Sequence, residues 1–310
     1  MKRIFITWIF HGNMQYDRWP KSYIRKDFPR IYDMVVQDFL RYPELKGHVQ
    51  LSGVTLESLE QENARCLAGL RELHKRGQIL FTGTYYSEPV NVSMDGETNL
   101  RCAELGTAMV RRMIGKANGF FPQEQSYHPQ LPWIVDQLGL EWVSIYDLHR
   151  TSFYPFTLKG LDGTRVVGIP IHQIFRQDMY RHLEELWDNA QGNELYTFVG
   201  DFELPPKLDD VVETVDELRR HGKTIEFTTI PEYLAEFGAK GEEFYTPCSW
   251  TETVRNPSFV RWTADPQDIM VHKSTATAMG QVGAAEMLAA LTESLTGCTP
   301  NQAWQDVVKP

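Results

Sequence analysis

The feature that most restricts the fold of this 310-residue sequence is its alternation of short apolar segments with longer amphipathic ones. The first apolar segment, RIFITWIF at residues 3–10, is nearly continuous in β-branched and aromatic residues, as expected for a strand buried on both faces. Amphipathic segments such as residues 56–76 place leucines at helical spacing and end near a glycine, here Gly77. This alternation predicts a parallel sheet built from repeated βα units.

Seven such units can be followed along the chain. The predicted strands cover residues 3–10, 48–52, 78–83, a segment beginning at 119, 141–146, 194–199 and 224–228. A hairpin inserted within residues 153–174 is predicted to turn at Asp162 and Gly163. The pattern therefore predicts an α/β barrel over residues 1–235, followed at residues 236–310 by a C-terminal loop and helical segment that packs on it.

Composition argues against several kinds of partner. The formal net charge of −10 and the isoelectric point of about 5.4 disfavour nucleic acid and anionic membrane surfaces. The apolar run at the N-terminus is short and meets His11 where a signal peptide needs small residues, and no window reaches the roughly 20 apolar residues of a membrane span. The four cysteines are dispersed, which suits a reducing compartment. We therefore expect a cytoplasmic protein.

Chemically active side chains follow the predicted strand ends. In a parallel barrel, ligands bind at this end, on the loops that lead from strands into helices. These positions are rich in carboxylates, histidines and tyrosines, namely His11, Tyr85, Tyr86, Glu88, Glu124, Tyr127, His128, Asp147, His149, Asp201, Glu203 and Glu232. Chance would distribute such residues between both ends of the barrel. Their shared end indicates a functional site more strongly than any single residue does.

Two carboxylates stand out, Glu124 after the predicted fourth strand and Asp201 after the predicted sixth. Asp201 lies in ELYTFVGDFELPP, and Glu203, two residues later, falls on the same side of an extended chain. Carboxylates from two strand ends in one mouth would raise the pKa of at least one of them. Glycoside hydrolysis needs such a pair, one acid to protonate the leaving oxygen and one carboxylate to attack or stabilise the anomeric carbon.

Each of these residues also has a structural interpretation. A glutamate after a strand often lies at a helix N-terminus or in solvent, and a histidine that ends a buried strand often hydrogen-bonds within the core. Asp201 and Glu203 also fit a charged turn, and the tyrosines fit packing positions. Taken one at a time, the residues leave structure and function open.

The order of several short blocks resembles glycoside hydrolase family 57, a group of bacterial and archaeal enzymes that act on α-glucans and related α-glycosides. The resemblance spans most of the first 235 residues. It is carried by His11, by VQLSGVTLESL, by GTYYSEPV with Glu88, by GFFPQEQSYHPQLPWIVDQLGLEWVSIYD with Glu124, and by VGDFELPP with Asp201.

This resemblance implies a (β/α)7 barrel with a C-terminal helical segment, retention of anomeric configuration, and no metal or other cofactor. It implies that Glu124 is the nucleophile and Asp201 the acid/base, about 5–5.5 Å apart for retention. An oligo- or polysaccharide is the expected partner, and the oligomeric state stays open. Substrate contacts are then expected from His11, Tyr86, Glu88, Tyr127, His128, Asp147 and Glu203.

Two other classes of function remain. A metal-dependent polysaccharide deacetylase or mannosidase-like hydrolase on a related barrel would need a set of His and Asp ligands. Asp147 and His149 have suitable spacing, but Asn13 offers an amide where a ligand carboxylate would be needed. A non-catalytic sugar-binding protein would keep the cleft and lack a catalytic carboxylate, whereas Glu124 and Asp201 are both present.

Overall fold

The computed structural model describes residues 2–14, 20–146, 152–172, 179–249 and 266–296. The strands in these ranges are β1 (Ile4–Gly12), β2 (Gly47–Leu51), β3 (Ile79–Gly83), β4 (Ala117–Phe120), β5 (Trp142–Tyr146), β6 (Phe156–Lys159), β7 (Arg165–His172), β8 (Glu194–Asp201), β9 (Ile225–Phe227) and β10 (Glu242–Glu243). The helices are α1 (Lys21–Arg41), α2 (Gly53–Glu62), α3 (Ala64–Lys75), α4 (Gly96–Met113), α5 (Leu131–Gln137), α6 (Met179–Asn189), α7 (Leu208–Arg220), α8 (Ile230–Phe237) and α9 (Pro266–Thr296).

Seven parallel strands form a closed barrel. Their order around the ring is β7-β5-β4-β3-β2-β1-β8, and the pairing of β7 with β8 closes it. All pairs in the ring are parallel, so their carboxyl ends meet at one mouth. The predicted (β/α)7 barrel with a C-terminal helix is confirmed.

The membership of the ring differs from the prediction at two strands. The hairpin inserted within residues 153–174 does form, with β6 antiparallel to β7, but β7 is itself a barrel strand. The predicted strand at 224–228 lies outside the ring, where β9 pairs only with Ile4–Ile6 of β1. β8 occupies one edge of β1 along most of its length, so β2 and β9 share the other. Asp201 therefore ends the seventh strand of the barrel.

Short polar residues determine where the outer helices begin. The side chains of Ser52, Asn63 and Asp95 each accept a backbone N–H from the first turn of α2, α3 and α4. Thr229 and Glu232 form a reciprocal capping box at α8. These caps replace the hydrogen bonds that the first helical N–H groups would otherwise lack, and α2 can start two residues after β2 ends.

Alternate residues of each barrel strand face two different cores. In β1, Phe5 and Ile9 belong to a cluster with Trp142, Ile171 and Leu195 inside the barrel. The intervening side chains of β1 pack against the helices in the larger outer cluster. The period of two along a strand therefore assigns odd-numbered residues of β1, including His11, to the interior.

Helix α8 contributes to the interior at the opposite end from the mouth. Ile230 and Tyr233 belong to the inner cluster, and the backbone N–H of Ile230 donates to Nε2 of His48 at 3.0 Å. His48 is fully buried and packs edge-on against Trp142. Burial lowers the pKa of His48 to about 3, so its imidazole stays neutral and acts as a hydrogen-bond acceptor.

We expect His48 to make the protein less stable in acid. Below the ordinary histidine pKa of 6.5, the unfolded chain binds a proton that folded His48, with its pKa near 3, cannot bind. This residue should therefore cost about 1.4 kcal/mol of unfolding free energy per pH unit below 6.5, or about 2 kcal/mol at pH ~5. Urea unfolding of wild type and His48→Gln between pH ~7 and ~4 measures the difference. Parallel pH dependences for the two proteins would contradict the assignment.

Helix α9 is the longest helix in the described part of the chain, and Met287, Leu288 and Leu291 are exposed on it. Over the same described residues, no helix is both apolar enough and long enough to span a membrane.

Candidate functional site

Three interior side chains form one row across adjacent strands at the mouth of the barrel. His11 of β1 is in register with Gln50 of β2 on one side and with Asp201 of β8 on the other. Each lies at or next to the last residue of its strand. The strand register, and not a loop conformation, therefore places this row.

Gln50 connects the row to the loop after β3. Its amide nitrogen donates to the Thr84 hydroxyl and to the carboxylate of Glu88, and its amide oxygen contacts Nδ1 of His11. Because both partners of the nitrogen are oxygens, the amide oxygen faces the imidazole. Nδ1 of His11 therefore carries a proton and donates a hydrogen bond to the amide oxygen of Gln50. Gln50 is fully buried and holds His11 and Glu88 in a fixed arrangement.

Glu88 is a buried carboxylate on a strained backbone. Its φ angle of 56° lies in the left-handed region, and its side chain is buried. One carboxylate oxygen accepts hydrogen bonds from Gln50 and Thr84, while Oε2 has no hydrogen-bond partner within the described residues. Burial raises the pKa of Glu88, and the nearby charge of Glu124 raises it further, against the opposing effect of His11. A buried acceptor of this kind suits a sugar hydroxyl.

Glu124 also has a left-handed backbone, with φ 54° and ψ 22°, and Gln125 follows at φ 48°. Within the described residues, Glu88, Glu124 and Gln125 are the only non-glycine residues with positive φ. Such residues cost about 1–3 kcal/mol each and cluster at active sites, where the surrounding structure holds them. All three lie on loops at the mouth of the barrel.

The loop that carries Glu124 is held from both sides. The hydroxyl of Ser249 donates to the backbone oxygen of Glu124 at 2.8 Å, and Tyr127 forms an antiparallel bridge with Cys248. On the inner side, Gln125 donates to Ser144 of β5 at 3.0 Å. These contacts fix the strained turn between β4 and α5.

Glu203 lies beside the same row. Its Oε1 accepts from the backbone N–H of Asn13 at 2.8 Å and from the hydroxyl of Tyr32 on α1. Burial raises the pKa of Glu203, and His11, Tyr32 and Asn13 oppose the rise. Glu203 is therefore an oriented, partly desolvated carboxylate.

His11 is the basic partner of this group of acids. Burial lowers its pKa, but the charges of Glu88, Glu203 and Asp201, together with the contact to Gln50, outweigh burial and leave the pKa raised. Its ring also stacks on Phe121, with centroids 5.5 Å apart. The structure thus brings His11, Glu88, Asp201 and Glu203 to one mouth, and Glu124 joins them through its interaction with Glu88.

The other predicted substrate contacts are engaged differently. Tyr86 is buried and its hydroxyl donates to Glu57 of α2 at 3.0 Å. Tyr127 is fully buried against Tyr245. Nδ1 of His128 accepts the backbone N–H of Gln130 at 3.3 Å. Asp147 and His149 lie outside the described residues. Contact of Tyr86, Tyr127, His128 and Asp147 with substrate stays a prediction.

Two residues of the site were missed by the sequence analysis. Gln50 lies inside the short strand HVQLS, where alternation places it on the same face as His48, so its interior position was predictable. Tyr32 lies in the middle of α1 and meets Glu203 across 171 positions of sequence. No local pattern predicts a contact of that range.

The side chains of the site that could bind a ligand are mostly carboxylates, and the row of three contains a single histidine, His11. Across the described ranges, no group of three or more His, Cys, Asp or Glu side chains is arranged to hold a metal ion. The arrangement can donate and accept protons at several carboxyl groups in different environments, and it can bind hydroxyl groups.

Comparison with known proteins gives consistent matches. The family model for glycosyl hydrolase family 57 matches residues 10–265. An α-amylase of Pyrococcus horikoshii is 24% identical over 254 residues, which cover 74% of this chain and 40% of the relative. A 4-α-glucanotransferase of Thermococcus litoralis is 25% identical over 251 residues, or 73% of this chain and 38% of the relative. The chain thus spans about two fifths of the length of these relatives.

A solved structure shares the fold. The crystal structure of the 4-α-glucanotransferase from Thermococcus litoralis superposes with a TM-score of 0.68 at 22% identity. The superposition covers 80% of this chain and 43% of the other.

Proposed function

Because the chain belongs to glycosyl hydrolase family 57, we propose that it hydrolyses or transfers the O-glycosidic bonds of an α-linked oligo- or polysaccharide. The observation that most supports this proposal is the convergence of four carboxylates and His11 at one barrel mouth, with two of the acids on left-handed backbone. The α-amylase and 4-α-glucanotransferase relatives favour an α-glucan as substrate.

Glu124 and Asp201 are proposed to divide the chemistry between them. Asp201 donates its proton to the leaving oxygen as the glycosidic C–O bond breaks, and a carboxylate oxygen of Glu124 forms a bond to the anomeric carbon. Asp201, now a carboxylate, takes a proton from water or from an acceptor hydroxyl. The oxygen of that molecule displaces Glu124, and two inversions give net retention.

His11, Glu88 and Glu203 are proposed to hold the sugar whose bond is broken. Each is oriented by a hydrogen bond, buried for His11 and Glu88 through Gln50 and partly buried for Glu203 through Tyr32. Prior orientation by protein contacts reduces the entropy lost when the sugar binds. Glu88 Oε2, which is buried and without a hydrogen-bond partner within the described ranges, suits a sugar hydroxyl as its partner.

We also propose that residues 1–235 supply the catalytic side chains and that the segment from 236 packs on the barrel. Pairing of β10 with β6 and the contacts of Cys248 and Ser249 with the Glu124 loop support this division. Three cysteines in the described ranges are buried and free, which supports a cytoplasmic location.

A metal-dependent hydrolase on a related barrel remains the second candidate, because Asp147 and His149 have ligand-like spacing. Metal analysis of the purified protein discriminates the two proposals. Stoichiometric zinc that is needed for turnover would favour the second candidate.

The proposed function is tested by assaying aryl α- and β-glycosides and short α-glucans. We expect turnover of one α-glycoside series, and proton NMR of the first product should show the α-anomer before mutarotation. Release of the β-anomer would overturn the retaining mechanism, and hydrolysis confined to β-glycosides would overturn the substrate class.

A further inference from the structure

A groove lies between the barrel loops and the turn of the β6–β7 hairpin. Its volume is about 410 Å³, and it is lined by Gly96, Glu97, Gln130, Trp133, Leu161 and Asp162. The residues come from the start of α4, from both sides of the start of α5, and from the hairpin turn. None of them belongs to the group of acids around His11.

The lining combines an aromatic ring with polar groups at its edge. Trp133 is partly buried against the outer core, which holds its indole in place, and Leu161 is 62% exposed beside it. The edge carries the carboxylates of Glu97 and Asp162 and the amide of Gln130. A partly exposed indole with acidic and amide groups around it suits pyranose rings, whose C–H faces stack on aromatics and whose hydroxyls donate to carboxylates.

The polar groups at the edge are held in place. Both carboxylate oxygens of Asp162 accept hydrogen bonds from Thr164, at 3.0 Å from its N–H and 2.6 Å from its hydroxyl. The backbone N–H of Leu161 donates to the oxygen of Pro129 at 3.1 Å and so joins the hairpin turn to the loop that carries Gln130. A ligand would therefore meet a groove that is already formed, with little ordering cost.

Two segments of the chain connect the groove with loops of the proposed active site. Gln130 follows Glu124 by six residues, so their Cα atoms are at most ~21 Å apart. Glu97, in the first turn of α4, follows Glu88 by nine residues. The α4 and α5 side of the groove is therefore joined to loops of the proposed active site, while the hairpin turn on its other side directly precedes the first residue of β7.

We propose that this groove is a second saccharide-binding site, which holds a segment of a glucan polymer outside the active site with Trp133 as its stacking platform. The choice of an α-glucan rests on the proposed function. The carboxylate of Asp162, beside the apolar side chains of Trp133 and Leu161, favours a neutral polyhydroxyl ligand over nucleic acid or acidic polysaccharides, and Glu97 is paired with Arg101 at 3.1 Å.

Native electrophoresis in gels with and without glycogen tests the proposal, using Glu124→Gln protein so that the polymer is not cleaved. We expect Trp133→Ala to weaken apparent affinity for glycogen about tenfold, as loss of one stacked ring predicts. Leu161→Ser, at an exposed turn, should weaken it in the same direction without a risk to folding. Met34→Ala, which removes an exposed apolar side chain from α1, is the matched control and should not change affinity.

A second assay separates the groove from the active site. With Glu124 intact, Trp133→Ala should raise KM for glycogen several-fold and leave kcat/KM for a short aryl α-glycoside within twofold of wild type. The groove proposal is overturned if glycogen slows Trp133→Ala and Leu161→Ser in the gel as much as it slows the protein with both residues intact. An equal loss of activity on short and long substrates in Trp133→Ala overturns it as well. Retardation that depends on Trp133 in a protein without glycosidase activity would support the groove and overturn the proposed function.

Discussion

Replacing Glu124 with glutamine is expected to lower turnover of an α-glycoside by at least about 1000-fold, because an amide cannot form the bond to the anomeric carbon. The barrel should stay folded. Gln125, the next residue, already adopts φ 48° in the same loop, so glutamine is compatible with this backbone. A loss of activity would then show that the nucleophile is missing and not that the Glu124 loop has changed conformation.

Steady-state kinetics and thermal unfolding of Glu124→Gln provide the measurement. The control is Glu72→Gln, the same substitution at an exposed position of α3 that pairs with Arg76, and it should leave both quantities unchanged. A slowly hydrolysed fluorosugar should add the mass of one sugar to wild type and none to Glu124→Gln. Turnover within tenfold of wild type would remove Glu124 from the role of nucleophile.

Replacing Asp201 with asparagine is expected to reduce kcat/KM by about 100- to 10,000-fold for substrates with an alcohol leaving group. The loss should be much smaller for bond cleavage in aryl glycosides with strongly acidic phenols, because those leaving groups depart without a proton. This dependence on the leaving group distinguishes a missing acid from a distorted site.

The comparison requires at least two substrates with the same sugar and different leaving groups. Asp209→Asn is the matched control, since Asp209 lies eight residues later, is exposed on α7 and pairs with Arg41. It should behave as wild type on both substrates. An equal loss on both substrates in Asp201→Asn would contradict the acid/base role.

The residues at the mouth of the barrel were predictable because two sequence patterns determine their position. Strand alternation and the parallel βα pattern place His11 and Asp201 at carboxyl ends, and the register of β1 with β8 sets them side by side. Strand-end position also singled out Glu124 and Glu203, and the family resemblance then added a matching block for Glu88 and the expected catalytic role of Glu124.

The ring itself was harder to predict. The turn at Asp162 and Gly163 is a strong local signal for a hairpin, and it does form one. Whether β7 also pairs with β5 and β8 depends on contacts distant in sequence, which the hairpin signal does not contain. The segment TIEFT at 224–228 alternates apolar and polar side chains as a barrel strand can, yet β2 already occupies the adjoining edge of β1.

The backbone strain at Glu88, Glu124 and Gln125 could not be predicted from residue type. None of these residues favours positive φ as glycine or asparagine does, so sequence signals for a left-handed turn are missing. The conformation is imposed by tertiary contacts, including those of Ser249 and Ser144.

The contacts of Cys248 and Ser249 with the Glu124 loop limit how this protein can be divided. A chimera that joined residues 1–235 to a foreign tail would keep every proposed catalytic side chain, yet it would lose the strand partner of Tyr127 and the hydrogen bond to the Glu124 carbonyl. The smallest transplantable unit therefore extends to at least residue 249. Insertions or deletions between 237 and 247 would shift the anchor relative to the turn it holds, so this connection is constrained in length as well as in composition.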